Sequence, residues 1–287
     1  MSRIVVAGDV MSDVVAAVGG PIAHGSDTPA RIVQRGGGAA ANVAVWLARA
    51  GAPVTLIARV GDDVAGRITV EDLRKEGVDA RVPVDPLLPT GTCIVLVEPG
   101  GERTMLPDAG ANAALAPAPL PDDARHLHVA GYALLHAGSR PAALALMAAA
   151  RAAGLTVSVD PSSAAPLART GPPAFLEWVA GADLLLPNRD EAAVLTGLAD
   201  PEGAARALAA HAREVVVKLG GDGALWTDGT RVARAAAFRV AEADTTGAGD
   251  AFAAGLLAAR LAGAAPAEAL AAGCALAARA VAGPGAR

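Results

Sequence analysis

Short apolar runs alternate along most of the chain with longer segments of helical period. Ile4–Ala7, Val54–Ala58, Leu127–Ala130, Leu155–Val159, Asp183–Leu186 and Glu214–Lys218 are brief and dense in Val, Ile and Leu. That is the length and composition of strands buried between helical layers. Helices are predicted over Ala39–Ala50, over Val64–Glu76, from Ser139-Arg140-Pro141 to about Ala153, and from Asn188 onward. Gly51 and Gly77 stop the first two, since glycine relieves the left-handed conformation at a helix C-terminus. Leu225–Thr227 and Arg231–Arg234 predict a hairpin, and two Ala-rich helices close the chain. Regular alternation of strand and helix predicts an α/β fold, with parallel strands and helices on both faces of the sheet.

Three segments break that rhythm. Val14–Val18, Arg31–Gln34 and Thr92–Leu106 read as strands without crossover helices, the last one folded back at Pro99-Gly100-Gly101 with its return strand at Arg103–Leu106. They are expected to form a small β-sheet lid, drawn from about residues 11–35 and 91–108, within one domain spanning 1–287. There is no internal repeat, and Leu115–Pro121 is a Pro/Ala loop rather than a long linker.

Composition narrows the function more than the fold. With 53% hydrophobic and 18% charged residues the chain is of ordered globular type, and with aromatics at 2% its core must be built from Ala, Val and Leu. A net charge of −5 and the lack of any basic run argue against nucleic acid as a partner. An acidic chain that binds a phosphorylated ligand must concentrate its cationic help locally, and Lys75 and Lys218 are its only lysines. Cys93 and Cys274 lack metal-site spacing and suit small core residues in a reducing compartment. The apolar run after Met1 is too short for a signal peptide, and none reaches the roughly 18 residues of a membrane span. A cytoplasmic protein without a membrane partner is expected.

The chemistry concentrates in Asp244-Thr245-Thr246-Gly247-Ala248-Gly249-Asp250-Ala251-Phe252, immediately before a long Ala/Leu helix. Glycines at a helix N-terminus let several backbone N–H groups converge, which makes an anion site suited to phosphoryl oxygens. Asp250 stands in the first turn beside that site, where a carboxylate can take a hydroxyl proton as the oxygen attacks phosphorus. A lone Asp there would merely complement the helix dipole. The same dipole predicts a lowered pKa for Asp250.

This segment resembles the C-terminal signature of the phosphofructokinase-B (PfkB), or ribokinase-like, carbohydrate kinases. The partner signature is present as Gly37-Gly38-Ala39-Ala40-Ala41-Asn42-Val43-Ala44, with Gly51 and Val60-Gly61-Asp62-Asp63 after it, and the likeness runs from about Ile4 to Gly285. The resemblance implies a three-layer ribokinase-like fold with a β lid, Mg²⁺-ATP as donor and a sugar, sugar acid or nucleoside as acceptor. It further implies a homodimer, as in many relatives. Asp250 then matches the catalytic base, and the amides of Gly247, Ala248 and Gly249 the anion hole. Asp13, Gly38 and Asn42 match acceptor contacts, although Asp13 alone would be an ordinary surface turn residue. Asn188 and Glu191 match an Asn-x-x-Glu element that positions ATP and Mg²⁺ through water, and the same spacing is also a helix capping box. Lys218 and the turn Gly220, Gly221, Gly223 match the nucleotide site, and Gly-Asp-Gly is equally an ordinary hairpin turn. Asp244 and Thr246 match a monovalent-cation site, so K⁺ is a candidate cofactor, with its second loop near Ala280–Gly285 cut short by the chain end.

Departures from the ribokinase pattern argue against ribose itself: Ala39 follows the double glycine, Met11 precedes Asp13 by two, and Gly131-Tyr132 stands where an acidic residue is usual. Tyr132 suits either stacking on an acceptor ring or the core. Arg103 reads as a solvated strand residue that could also reach an anionic acceptor. A nucleoside kinase of the same fold is the main alternative. An NAD(P)-dependent oxidoreductase is weighed on Gly36-Gly37-Gly38-Ala39-Ala40-Ala41, but the first strand ends at Asp9 rather than at this loop, and the next ends at Arg59 rather than an acid. A non-catalytic sugar-binding regulator would be favoured by loss of Asp250 or its glycines, and all are intact.

Overall fold

A computed structural model describes residues 2–100, 102–240 and 244–283. Its main sheet runs, in spatial order, Val232–Ala235, Ala224–Thr227, Ala212–Lys218, Ala182–Leu185, Thr156–Asp160, Ala124–Ala130, Arg3–Ala7, Val54–Ile57 and Asp79–Arg81. All neighbours are parallel except the Ala224–Thr227 and Val232–Ala235 strands, which form the expected hairpin at one edge. Alternate residues of one strand serve opposite layers. Ile4 and Val6 join a core with the helices Ala39–Arg49, Ala248–Leu261 and Pro266–Val281, while Val5 and Ala7 join a second core with Arg140–Ala152. That is the three-layer α/β arrangement expected. The scarcity of aromatics is matched by close helix packing: a Cβ on Gly255 would fall 2.6 Å from the Ala272 carbonyl oxygen.

The strand order reverses direction between Arg3–Ala7 and Ala124–Ala130, because the chain winds outward to Val54–Ile57 first and returns on the other side. In open α/β sheets the ligand crevice lies beyond the carboxyl ends of strands at such a switch point. Gly8-Asp9 and Gly131-Tyr132 leave the sheet there.

A second sheet, in the order Ala30–Gly37, Met11–Val18, Thr92–Val97 and Arg103–Asp108, forms from the segments that broke the sequence rhythm. The central pair is parallel and the outer pairs antiparallel. Met11, Cys93 and Val95 are buried on one face, with Val15 and Val97 packed against them. On the other face Ile32, Ile94 and Leu106 stay exposed, at 65%, 43% and 52%. The folding-back turn includes Gly101, which lies outside the described residues.

Elements too short to show a period escaped the sequence reading. They are the helices Tyr132–Leu135, Ala164–Thr170, Pro172–Val179 and Pro201–Leu208, the edge strand Asp79–Arg81, and the paired strands Val60–Gly61 and Val84–Asp85. Asp63, part of the sequence signature, serves the framework. It caps the Val64–Lys75 helix through the Gly66 N–H and accepts from the Thr90 N–H and hydroxyl.

Candidate active site

The helix Ala248–Leu261 springs from Gly247, whose φ of 73° is left-handed and favours glycine. Its first backbone bond runs from the Ala251 N–H to the Gly247 carbonyl. Among the described residues the N–H groups of Gly247 and Gly249 have no protein acceptor, as an anion hole needs. Ala248 differs from expectation, since its N–H closes a turn onto the Thr245 carbonyl at 3.3 Å. A Cβ on Gly249 would lie 3.6 Å from Lys218 Nζ, so an ammonium stands beside the free amides. Convergent N–H groups, a helix N-terminus and that cation together suit a phosphoryl group.

Asp250 accepts a hydrogen bond from Asn42 Nδ2 at 2.8 Å. Burial pushes its pKa up to about 8; the Asn42 bond and Lys218 oppose the shift, and the negative charges of Asp160 and Asp9 add to it. This corrects the lowered value expected from the helix dipole. A dipole contributes about 0.3–2 kcal/mol at a helix end, and here loss of water around the carboxyl prevails. A carboxylate poised near neutrality is a better base than an ordinary one.

Asn42 is positioned by Asp9, which the sequence reading did not single out. The carboxyl oxygens of Asp9 accept from the Ala39 and Ala40 N–H groups at 3.0 and 3.3 Å, anchoring the start of the helix that carries Asn42. Gly38 has φ 93°, and a Cβ there would meet the Asp9 carbonyl oxygen at 2.6 Å, so only glycine fits. Asn42 Oδ1 is buried and lacks a partner among the described residues. Asn112, also unforeseen, brackets Val10 with two bonds of 2.9 and 2.8 Å and so fixes the entry to the small sheet.

Asp13 lies on the small sheet opposite Arg35 and Cys93 in register, and a Cβ on Gly37 would fall 2.2 Å from its carboxyl oxygen. Any side chain at 37 would therefore displace the Asp13 carboxylate. Arg103 is not the solvated strand residue that was one reading of it. Its guanidinium pairs with Asp244 at 2.6 Å and donates to the Thr246 hydroxyl, joining the small sheet to the glycine loop. A monovalent cation at Asp244 and Thr246 would have to share those oxygens with the guanidinium, so in this arrangement they do not fit as a K⁺ ligand set. Of the Ala280–Gly285 loop, residues beyond 283 lie outside the described chain.

On the nucleotide side, Lys218 Nζ is 2.5 Å from Asp160 Oδ2, a partner the sequence reading missed. Burial works to lower the Lys218 pKa, but Asp160 and Glu191 outweigh it and the net shift is upward. Asn188 and Glu191 do form a full capping box, with Glu191 N–H to Asn188 Oδ1 and Asn188 N–H to Glu191 Oε2 both at 2.8 Å. Glu191 is buried, and that burial raises its pKa to about 7, with Lys218 opposing and Asp160 reinforcing. Among the described residues no group of three acidic, His or Cys side chains could hold a metal. The acidic residues present fit a Mg²⁺ carried in on phosphates and water, the usual manner for this ion. Gly220 and Gly221 lie in a short 3₁₀ turn, and Gly223 is required by packing, since its Cβ would fall 2.0 Å from the Ala235 carbonyl oxygen. Tyr132 sits at the switch point, where burial pushes its hydroxyl up to about 12, with Asp9 and Asp250 adding to the shift and a bond to Ser163 opposing it.

Comparison with known proteins shows the family and the fold. A family model described as pfkB family carbohydrate kinase matches residues 1–287. An ATP-dependent ribose-1-phosphate kinase of Halopiger xanaduensis is 36% identical over 260 residues, covering 90% of this chain and 84% of the relative. A crystal structure assigned as a ribokinase II of E. coli, in complex with ATP and Mg²⁺, superposes with a TM-score of 0.83 at 25% identity, over 100% of this chain and 94% of that one. A double-mutant fructokinase of Vibrio cholerae, with fructose, ADP and potassium ion bound, gives 0.81 at 28% identity over 100% and 94%. No helix among the described residues is long and apolar enough to cross a membrane.

Proposed function

The chain belongs to the pfkB family of carbohydrate kinases, and from that premise we propose that it moves the γ-phosphate of ATP onto a hydroxyl of a small sugar or sugar acid, with Asp250 as general base. One observation carries the reading: the Asp250 carboxyl, bonded to Asn42, stands in the first turn above the free amides of Gly247 and Gly249 and near Lys218. The acceptor hydroxyl donates to Asp250, and Asn42 Oδ1 accepts from a neighbouring hydroxyl. Asp13 and the Gly38 backbone hold others. The γ-phosphoryl oxygens lie on the Gly247 and Gly249 amides, with Ala248 closing the turn beneath them. Lys218, Asn188 and the Gly220–Gly223 turn line the nucleotide side. When bound, Mg²⁺ supplies positive charge to the phosphoryl oxygens, with Glu191 placed to act on its water shell. In-line transfer then asks the protein mainly for position and charge. The small sheet covers the acceptor and keeps water from competing for the phosphoryl group.

The exposed face of Ile32, Ile94 and Leu106 is where a second copy would pack to form a homodimer. Two buried cysteines without a disulfide suit work in the cytoplasm.

ATP consumption should be followed with Mg²⁺ across neutral sugars, sugar phosphates, sugar acids and nucleosides. Turnover on a carbohydrate, abolished by a chelator and restored by Mg²⁺, is expected. Turnover on nucleosides alone would favour the nucleoside kinase alternative, and undiminished turnover without divalent metal would reject the mechanism.

A further inference from the structure

Asp244 and Thr246, the residues that match a monovalent-cation site, are the two that Arg103 holds. We propose that the Arg103 guanidinium stands in for that cation, so that phosphoryl transfer here needs no K⁺ and the glycine loop is set by the small sheet instead. The proposal rests on the kinase reading above and deepens it, making Arg103 a positioning residue for the anion hole.

Arg103 meets the loop at the atoms an ion would need. Asp244 Oδ1 accepts from the Thr246 N–H at 2.8 Å and from Arg103 Nη2 at 2.6 Å, while Arg103 Nη1 donates to the Thr246 hydroxyl. One planar donor thus spans the carboxylate and the hydroxyl that a metal ion would have to bridge. Cations that favour oxygen ligands bind by collecting several at once. A guanidinium brings the same single positive charge through directed N–H bonds, and keeps it at every working pH. Only 19% of the Arg103 and Asp244 side chains is exposed. A second cation beside the first would therefore meet repulsion that little water is left to screen.

The described carbonyls of the neighbouring Ala280–Gly285 stretch are engaged as well. Val281 O accepts from the Asp244 N–H at 3.2 Å, and Ala280 O from the Gly283 N–H at 3.2 Å. Asp244 is tied by its N–H to the end of the last helix and by its carboxylate to the small sheet, without an ion between them.

Where the charge comes from changes what it can do. Gly247, the next residue after Thr246, takes the left-handed turn that starts the helix, and the Gly247 and Gly249 N–H groups face outward from it. Their placement follows from the loop that Arg103 grips. Arg103 begins the strand Arg103–Asp108 at the edge of the small sheet, paired to Thr92–Val97. A diffusible ion would hold the loop whether the crevice is open or covered. An arginine on the sheet holds it only while the sheet lies against it, so the anion hole is complete when the acceptor is covered and slack when water has access.

The experiment changes the cation of the buffer. Wild type, Arg103→Gln and Arg103→Lys are assayed in K⁺, Na⁺ and N-methylglucammonium at fixed ionic strength, and the melting temperature of each is followed over the same K⁺ series. Wild-type kcat should change by less than about twofold among the three cations. In N-methylglucammonium, Arg103→Gln should lose roughly 10–100-fold in kcat, and K⁺ should restore a substantial part of it by occupying the freed oxygens. Arg103→Lys, which keeps the charge but not the fork, should lose less and respond less to K⁺. K⁺ should raise the melting temperature of Arg103→Gln and leave that of wild type in place. Wild-type activation by K⁺ of more than about twofold would overturn the substitution of arginine for the ion and leave the kinase reading standing. An Arg103→Gln protein indifferent to K⁺ in both rate and melting would overturn it too, since the arginine would then hold the loop without replacing a cation. If no carbohydrate is phosphorylated, the kinase reading fails and melting decides: a K⁺ shift confined to Arg103→Gln supports the exchange, and equal shifts in both proteins reject it.

Discussion

The two ends of the crevice are built on different terms. At the carboxyl edge of the main sheet, each functional side chain is met by another that the core holds in place: Asp250 by Asn42, Lys218 by Asp160, Glu191 by Asn188. Strand ends and helix starts, both rigid, carry them. The small sheet holds its functional groups on one face of four strands whose other face exposes Ile32, Ile94 and Leu106. Its hold on the glycine loop is through Arg103, and such a contact can open without disturbing either core. On the proposed function, the difference would give chemistry to the buried edge and recognition to the small sheet.

That division breaks most sharply at Asp250. Asp250→Asn keeps the shape and a partner for Asn42, and should lower kcat by about 10²–10⁴, because the lost group acts only on a moving proton. Its sign on stability should be the opposite. The folded pKa of about 8 lies above the ordinary 3.8, so between these values the folded state holds the proton more firmly than the unfolded one. Ionisation therefore removes stability as pH rises through that window. Asp250→Asn, which cannot ionise, should melt higher than wild type at pH 8 and show little advantage near pH 4. In the wild type kcat/KM should rise with pH toward about 8, where the free base forms. Near wild-type kcat in folded Asp250→Asn would sink the base assignment, and an unchanged melting temperature at pH 8 would sink the burial argument.

Asp13 belongs to the covering sheet and should behave differently. In the proposed reading it would hold acceptor hydroxyls in ground and transition states alike, so Asp13→Ala would remove charged hydrogen bonds of about 1.5–3 kcal/mol each and should raise acceptor KM more than it lowers kcat. A loss confined to kcat would show that the two sheets do not divide the work in this way.

The same contrast explains what the sequence disclosed. Strands of the main sheet were legible because each is a short apolar run between helices, and the small sheet because its strands lacked crossovers. Asp250 and its glycines were legible because they are contiguous and precede a helix. The partners were not. Asp160 ends an ordinary strand, Thr156–Asp160, and meets Lys218 across 58 residues. Arg103 reaches Thr246 across 143 residues from a strand that reads as solvated. Asp9 is a plain strand-end acid until the Ala39 helix is set against it. The Asp250 pKa went the other way from expectation for the same reason: a helix N-terminus can be seen in one segment, whereas burial and the charges of Asp160 and Asp9 come from others. A sequence-level signal for Asp9 did exist, in the Gly8-Asp9 pair closing the first buried strand.

The smallest effect on chemistry is expected from the outer face of the small sheet, and it tests whether the two faces of that sheet are independent. Ile94 pairs with Val14 and Leu106 in register, and all three project away from the cleft that Cys93 and Val95 face. Apolar side chains gathered on one sheet face mark an interaction surface, and a second copy related by a two-fold axis would cover each with its own counterpart. Burying such surface contributes about 25 cal/mol per Å², and a charge at its centre would remain unpaired and oppose association. Ile94→Lys should therefore convert a dimer in sedimentation into a monomer. Its kcat should stay within a few-fold of wild type, because no residue assigned to phosphoryl transfer lies on that face. Acceptor KM should rise modestly, since an unsupported sheet closes less readily over the crevice. A wild type that sediments as a monomer at micromolar concentration would refute the assignment of this face, and a monomeric Ile94→Lys with kcat lost a hundredfold would show that the covering sheet cannot be separated from the chemistry beneath it.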